Sequence, residues 1–291
     1  MAQPAENAVL DEEKLNAKKE GQREARTALI HRLRQERAED LAKPLEACGL
    51  EYWLTCTHCG EEHETTTSCK KRWCPVCAPV LSAERHGRWR HAVGKLQWPL
   101  FLTLTLPNSE DPEQLLHLKK AWGRFRRRKI FADKVKGGVG SFEVTNKGQG
   151  WHPHLHAVID CRWLAVHTPE PHSSDSADLV SLKCEHAQKE LAAAWADCIG
   201  EPEAVVWVRR VYGDGVIDEI LKYSVKAQQL LECPDPVAPM LRVIRQTRTL
   251  SGFVSLFPLP SPDQEQDVQT ACKQCGEEKT LMPSELVTRL M

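Results

Sequence analysis

Three things are scarce in this chain of 291 residues. No apolar run is long enough to cross a bilayer, which excludes a helical membrane protein. Net charge is −1 at pH 7, so bulk charge does not announce a nucleic-acid partner. Tyrosine occurs only three times, in a chain with an aromatic fraction of 6%. Chemistry that needs a phenol therefore has few places to find one. The first twenty residues, MAQPAENAVLDEEKLNAKKE, are polar and hold no secretory core, so the expectation is a soluble cytoplasmic protein. The length allows one sizeable core with smaller attachments.

Cysteine, by contrast, is plentiful. Twelve in a chain with no expected export signal point to metal binding rather than disulfides. Cys56-x2-Cys59 and Cys74-x2-Cys77 are two knuckles separated by fourteen residues. Each two-residue spacing lets a pair of thiolates converge on one tetrahedral ion, and two pairs close a structural zinc site. Cys69, His58 and His63 are possible substitute ligands. Cys272-x2-Cys275 is a lone knuckle without a visible second half. It is left to pair across a dimer, to borrow Cys233 or to bind nothing, and no metal is assigned to it. No internal repeat is read from the chain.

Positive charge is scarce in the sum but clustered locally. Residues 119–136, KKAWGRFRRRKIFADKVK, hold nine Lys or Arg against one Asp. Smaller runs lie at Lys70–Arg72, Arg85–Lys95 and Arg242–Arg248. One such run is ordinarily a solvated face; several around one region favour a phosphate-binding surface, with Arg124, Arg126, Arg127 and Arg128 as its central residues.

The pattern divides the chain into four parts. Residues 1–47 read as a charged helical arm with a thin apolar stripe at Ala28, Leu29, Leu33 and Leu41. Residues 48–96 read as the four-cysteine module with a basic connector. Residues 97–231 read as the main domain, and 232–291 as a flexible tail. Within the main domain, LFLTLTLP (100–107), VGSFEVT (139–145), WHPHLHAVI (151–159) and AVVWVRRV (204–211) predict strands. Helices are predicted at 113–130, 183–198 and 216–231. Irregular alternation with at least one hairpin favours an α+β fold, an antiparallel central sheet with helices packed on it.

The strand at 151–159 places His152, His154 and His156 on one face. Two imidazoles two residues apart on a rigid strand can hold one cation. The preceding strand offers Glu143 on the face of Ser141 and Thr145. A connecting loop of four or six residues sets Glu143 opposite His154 and completes a His/His/carboxylate site; a loop of five sets it opposite Pro153. Such a donor set suits Mn²⁺, Mg²⁺ or Zn²⁺. On the helix at 216–231, Glu219, Tyr223 and Lys226 share a ridge opposite Ile217, Ile220 and Leu221, and Lys222 adjoins the tyrosine.

FLTLTLPN (101–108), GWHPHLHAVI (150–159) and EILKYSVK (219–226), in this order behind a double cysteine knuckle, resemble the replication initiators of rolling-circle plasmids. These are HUH endonucleases of the single-tyrosine branch, named for His-hydrophobic-His. The resemblance covers roughly residues 48–230. It implies a ferredoxin-like or RRM-like palm and a prokaryotic source. It implies that His154 and His156 hold a divalent ion, Mn²⁺ or Mg²⁺, accompanied by His152. Tyr223 is then the nucleophile, and Glu219 the acid that activates water at termination. Thr103 and Thr105 border the site. Lys222 and Lys226 would lower the phenol pKa or hold flanking phosphates. The partners implied are plasmid origin DNA, single-stranded or extruded as a hairpin at the nick, and host helicase and polymerase. Rival readings are an HUH transposase, in which two tyrosines lie a turn apart, a non-catalytic zinc regulator that binds DNA, and a metal hydrolase for small substrates.

Overall fold

The computed structural model describes residues 4–165, 177–202, 204–210, 220, 227–256, 272, 274–275 and 281–283. The α+β expectation holds: two antiparallel sheets carry helices. The larger sheet has the order β6-β3-β5-β4-β7, from β3 (Pro99–Thr105), β4 (Gly137–Asn146), β5 (Trp151–Asp160), β6 (Val206–Arg210) and β7 (Leu250–Val254). Every neighbouring pair in it is antiparallel.

The chain runs β3, α4 (Gln114–Phe125), β4, β5, α7 (Ala177–Ile199), β6. Each helix joins two strands that run the same way with a third strand between them. This is the split βαβ path of ferredoxin-like folds, with β7 added at the β4 edge. Such crossovers place both helices on one face of the sheet. Leu100, Leu102, Leu104, Leu155, Ala157 and Ile159 point to that face and are fully buried. Leu115, Leu118, Trp122 and Phe125 of α4 and Leu191 and Trp195 of α7 meet them. The Trp195 ring stands edge-on to Phe125 at 5.5 Å, and its Nε1 donates to the Thr105 carbonyl at 3.0 Å, so the large indole is buried without an orphan donor.

Among the described residues, the opposite face is covered over one half. There α3 (Cys77–Val93) lays Trp89 and Val93 over Phe101, Val139 and Val158. A Cβ on Gly252 of β7 would stand 2.8 Å from the Trp89 ring, so glycine is what lets this helix approach the edge strand. The remaining half of the face carries the histidines.

Two expectations about the ends are corrected. Residues 232–256 are not a loose tail. The helix α9 (Ala238–Gln246) buries Met240, Leu241 and Ile244, and β7 completes the main sheet. The Pro, Ser and Gln content drew attention away from the apolar i, i+1, i+4 pattern within 240–244. The charged arm is a helix, α1 (Pro4–Gln35), but its second half is built in. Leu29 and Leu33 are fully buried beside Leu41 and Leu45 of α2 (Glu39–Glu46). Arg32 donates to the carbonyls of Leu230, Leu231 and Asp235 at 2.7–3.0 Å. Glu36 accepts from the backbone N–H groups of Val237 and Ala238. A thin stripe suffices because polar side chains supply the rest of the joint.

The smaller sheet has the order β2-β1-β8, from β1 (Glu51–Cys56), β2 (Glu62–Thr66) and β8 (Leu281–Pro283). Two short helices, α5 (Lys129–Ala132) and α6 (Arg162–Ala165), and α8 (Ala227–Glu232) complete the described elements.

Candidate metal centre

The site is built from a hairpin register. Strand β4 runs to Asn146 and β5 starts at Trp151, so the connecting loop has four residues, and Glu143 lies opposite His154. The shorter of the two permissive loops is the one present. His156 lies opposite Ser141 on one side and Thr103 on the other. Pro153 is tolerated in a central strand because its missing N–H faces the β3 side just past that strand's end. There its carbonyl still accepts from Leu106 N at 3.3 Å.

Glu143 Oε2 is 3.6 Å from His154 Nε2 and 3.4 Å from His156 Nε2. Donors about 2.1 Å from one ion are separated by about 3.0–3.4 Å in octahedral or tetrahedral geometry, so the three atoms surround a position an ion of this class fits. The three side chains are nearly enclosed, at 12–15% exposure. Burial alone would push the Glu143 carboxyl up, but hydrogen bonds and charge from His154 and His156 outweigh it and hold the group at about 2. The carboxylate is therefore ionised and available as a ligand.

His156 Nδ1 is 3.1 Å from Thr103 Oγ1. With Nδ1–H donating to that hydroxyl, Nε2 is left to face Glu143, donating to the carboxylate when the ring is protonated and offering its lone pair when an ion is bound. Phe101 stacks on the same ring at 5.3 Å. Thr103, which borders the site in the sequence pattern, is thus placed to set the tautomer and orientation of His156.

His152 does not join the triad. Its ring is 5.2 Å from that of His154, but along the strand it lies opposite Thr145, one pleat beyond the carboxylate. Burial, then the neighbouring His154, pushes its pKa down.

The same face continues across β3 to β6. Trp207 pairs with Thr103 and is 63% exposed, and Arg209 pairs with Phe101 and lies 4.5 Å over its ring. This exposed indole, which lies in line with the two imidazoles, was not singled out from the sequence. The signal was the alternation of Val206 and Val208, which face inward, with Trp207 and Arg209, which face out.

Glu219, Tyr223, Lys222 and Lys226 lie outside the described residues. Ile220, between the first two, is described. It is helical and buried with Phe101, Val139 and Val158, the apolar group adjoining His156 on the histidine face.

The four thiols expected to close one zinc site are divided between two clusters. Cys74 and Cys77 gather with Cys48 and Cys69; Cys56 and Cys59 gather with Cys272 and Cys275. Two knuckles fourteen residues apart suffice to make one site on paper, but the intervening β2 strand carries Cys74 and Cys77 away from the hairpin turn. In the first cluster the Sγ separations are 3.2 Å for Cys48 and Cys77, 3.5 Å for Cys48 and Cys74, and 3.7 Å for Cys69 and Cys77. Four thiolates at about 2.3 Å from a tetrahedral ion stand about 3.8 Å apart, so this set fits zinc. Crowding shows in the thiols themselves. Hydrogen bonds from Cys69 and Cys74 hold Cys77 far below the usual thiol value, while Cys69 is pushed up to about 12. Cys233 belongs to the apolar core and to neither cluster.

The basic residues also divide. Arg72, from the run between the knuckles, is turned inward and donates to Thr249 Oγ1 at 2.7 Å and to the Ile244 carbonyl at 2.6 Å. Burial, then Arg85, lowers its pKa to about 10, and it stays charged. Arg124 donates to the Cys198 carbonyl, Arg126 lies over Trp122 and Phe253, and Arg128 pairs with Asp197. These contacts anchor helices, although Arg124 and Arg128 are exposed along with Arg127.

Comparison with known proteins bears on this region. The Rep_1 family, described as replication protein, matches residues 61–162, the span from β2 through Glu143 to the end of the histidine strand. A curated relative, "Protein rep" of Staphylococcus aureus, is 29% identical over 178 residues, covering 56% of this chain and 72% of that protein. No solved structure matches significantly. Among the described residues, no helix is long and apolar enough to cross a membrane.

Proposed function

We propose that the chain is a plasmid rolling-circle replication initiator, an HUH endonuclease that nicks one strand of its origin and rejoins or releases it at termination. The carrying observation is the convergence of Glu143, His154 and His156 on one face of the sheet, in a chain similar to replication proteins. A rigid hairpin with this three-donor set leaves coordination positions for a phosphate oxygen, which suits phosphate chemistry; a closed set of four ligands would not.

Glu143, His154 and His156 would hold Mn²⁺ or Mg²⁺, which supplies polarisation of a scissile phosphate and an electrostatic sink for its developing charge. Tyr223 is the nucleophile. Its Oη bonds to phosphorus, the bond from phosphorus to the 3′ oxygen breaks, and the phenolic proton passes to solvent. The 3′ oxygen leaves as a hydroxyl after taking up a proton. Retaining the 5′ end as a tyrosyl ester divides the reaction into two displacements and keeps the strand tethered. Glu219, one helical turn before Tyr223, takes a proton from the water that closes the cycle. The packing of Ile220 beside Phe101 and Val158 supports this assignment, because it brings the segment that carries Glu219 and Tyr223 up to the sheet face that holds the histidines.

Trp207 and Arg209 extend the face and suit a single strand, one by stacking on a base and the other by pairing with phosphate. Lys222, Lys226 and Arg127 add phosphate contacts, which raise affinity without reading sequence. Host helicase and polymerase act on the released strand and the 3′-hydroxyl.

The test is a covalent-adduct assay. Single-stranded oligonucleotides tiling the origin of the replicon that carries the gene are incubated with protein and Mn²⁺, and a protein–DNA band is sought on a denaturing gel. Tyr223→Phe abolishes the band, and Glu219→Ala retains nicking but impairs termination. An adduct that persists in Tyr223→Phe overturns the assignment of the nucleophile.

A further inference from the structure

The second cysteine cluster has no role in the chemistry above, and one half of it comes from the far end of the chain. Cys56 Sγ lies 3.7 Å from Cys275 Sγ, and Cys59 Sγ lies 3.6 Å from Cys272 Sγ, across 219 and 213 residues. All four sulfurs fall within 4.8 Å of one another. A disulfide would bring two of them to about 2.05 Å. The observed spacing is instead that of a tetrahedral thiolate shell, about 3.8 Å. The pairs are crossed, each knuckle's sulfurs facing the other's, as the corners of a shared tetrahedron require.

The sequence carries an independent mark of the same arrangement. CTHCGEE at 56–62 and CKQCGEE at 272–278 are the same knuckle written twice. This is a short repeat that went unread because more than two hundred residues separate its copies. In the first copy Gly60 has φ +73° and its N–H returns to the Cys56 carbonyl at 2.9 Å. That turn aims both sulfurs the same way, and a side chain at position 60 would strain it. A strand follows each copy: β2 after the first and β8 after the second, both pairing with β1. His63 Nε2 lies 3.2 Å from Cys272 Sγ, placed to donate its N–H to a metal-bound thiolate.

We infer that Cys56, Cys59, Cys272 and Cys275 form a second structural zinc site, distinct from Cys48/Cys69/Cys74/Cys77, that clasps the C-terminal segment onto the β1–β2 hairpin. The two halves of one zinc ribbon come from opposite ends of the chain. The clasp closes a loop of more than two hundred residues, so it removes more freedom from the unfolded chain than any local knuckle. It also makes the three-stranded sheet dependent on metal.

The experiment uses the full chain, purified under reducing conditions and freed of loosely held ions by a brief chelator wash. Zinc is counted by elemental analysis. The cobalt-reconstituted protein is read by its sulfur-to-metal charge-transfer absorption, which ignores any ion on histidine and carboxylate. Wild type is expected to hold two thiolate-bound ions. Cys272→Ser/Cys275→Ser and Cys56→Ser/Cys59→Ser each retain one, with the charge-transfer band halved. In the first of these variants trypsin cuts quickly after Lys273 and Lys279, sites that metal protects in wild type. A single thiolate-bound ion in wild type, no loss of zinc in either double variant, or disulfides joining these four residues in the reduced protein would each overturn the inference. If a variant fails to fold, X-ray absorption on wild type decides alone: two ions with four sulfurs each support the clasp, and any other shell refutes it.

Discussion

The hydroxyl of Thr103 stands 3.1 Å from His156 Nδ1, and it is the contact that leaves Nε2 free beside Glu143. Thr103→Val keeps the branched shape a strand prefers and removes only this partner. The imidazole then loses its fixed tautomer and orientation, and the ion must select them itself. Loss of such an outer partner costs about 10- to 100-fold in metal affinity, or roughly 1.4–2.7 kcal/mol. The cost to the fold is smaller, about 0.5–1.5 kcal/mol for one hydrogen bond, or a few degrees in melting temperature. Titration calorimetry with Mn²⁺ on wild type and Thr103→Val measures the first quantity, and thermal melting the second. Nicking by the variant should recover when Mn²⁺ is raised about 100-fold, because the deficit lies in occupancy. Affinity unchanged within twofold, or nicking that excess Mn²⁺ fails to restore, would refute the role given to Thr103.

Trp207→Ala should weaken binding of short single-stranded DNA by about 1–3 kcal/mol without altering the melting temperature, since the side chain is mostly exposed; fluorescence anisotropy with labelled oligonucleotides decides it, and unchanged affinity would remove Trp207 from the DNA path. Arg72→Met should destabilise the protein by about 1.5–3 kcal/mol in urea, because it strands the Ile244 carbonyl and the Thr249 hydroxyl; wild-type stability would mean that the buried guanidinium is dispensable. Glu143 sits at about 2 in the metal-free fold, below its ordinary 4.5. Its contribution to stability is therefore complete above pH about 4.5 and is lost as pH falls through about 2. Acid melts should show Glu143→Gln less stable than wild type at neutral pH and the gap closing below pH about 4.5; a gap independent of pH would contradict the charge pairing.

Much of the fold was legible because local patterns decided it. Alternation over 142–145 and 151–156 set the hairpin, and with it the face on which Glu143 and the two histidines meet. What remained open was one integer, the loop length, since a single residue moves every side chain to the other face. The closing helix and strand at 238–254 were missed because their apolar positions are few and acquire meaning only against a sheet edge. His152 was grouped with its neighbours because a strand pattern reports which face a residue takes, not how far along that face a carboxylate reaches. Arg72 and Arg126 counted as a charged surface because charge is visible in a sequence and its burial is not, whereas Arg124 and Arg128 are exposed but engaged by the Cys198 carbonyl and Asp197.

The sequence by itself determined the chemistry available: which strands alternate, where imidazole and carboxylate share a face, and that cysteines come in knuckles. Those facts follow from geometry over two to four residues, which the chain cannot escape. Only the tertiary structure decided which knuckle meets which, dividing one expected zinc cluster into two and joining residue 56 to residue 275. Partners across two hundred residues are chosen by how the sheets and helices between them pack. No local spacing records that choice.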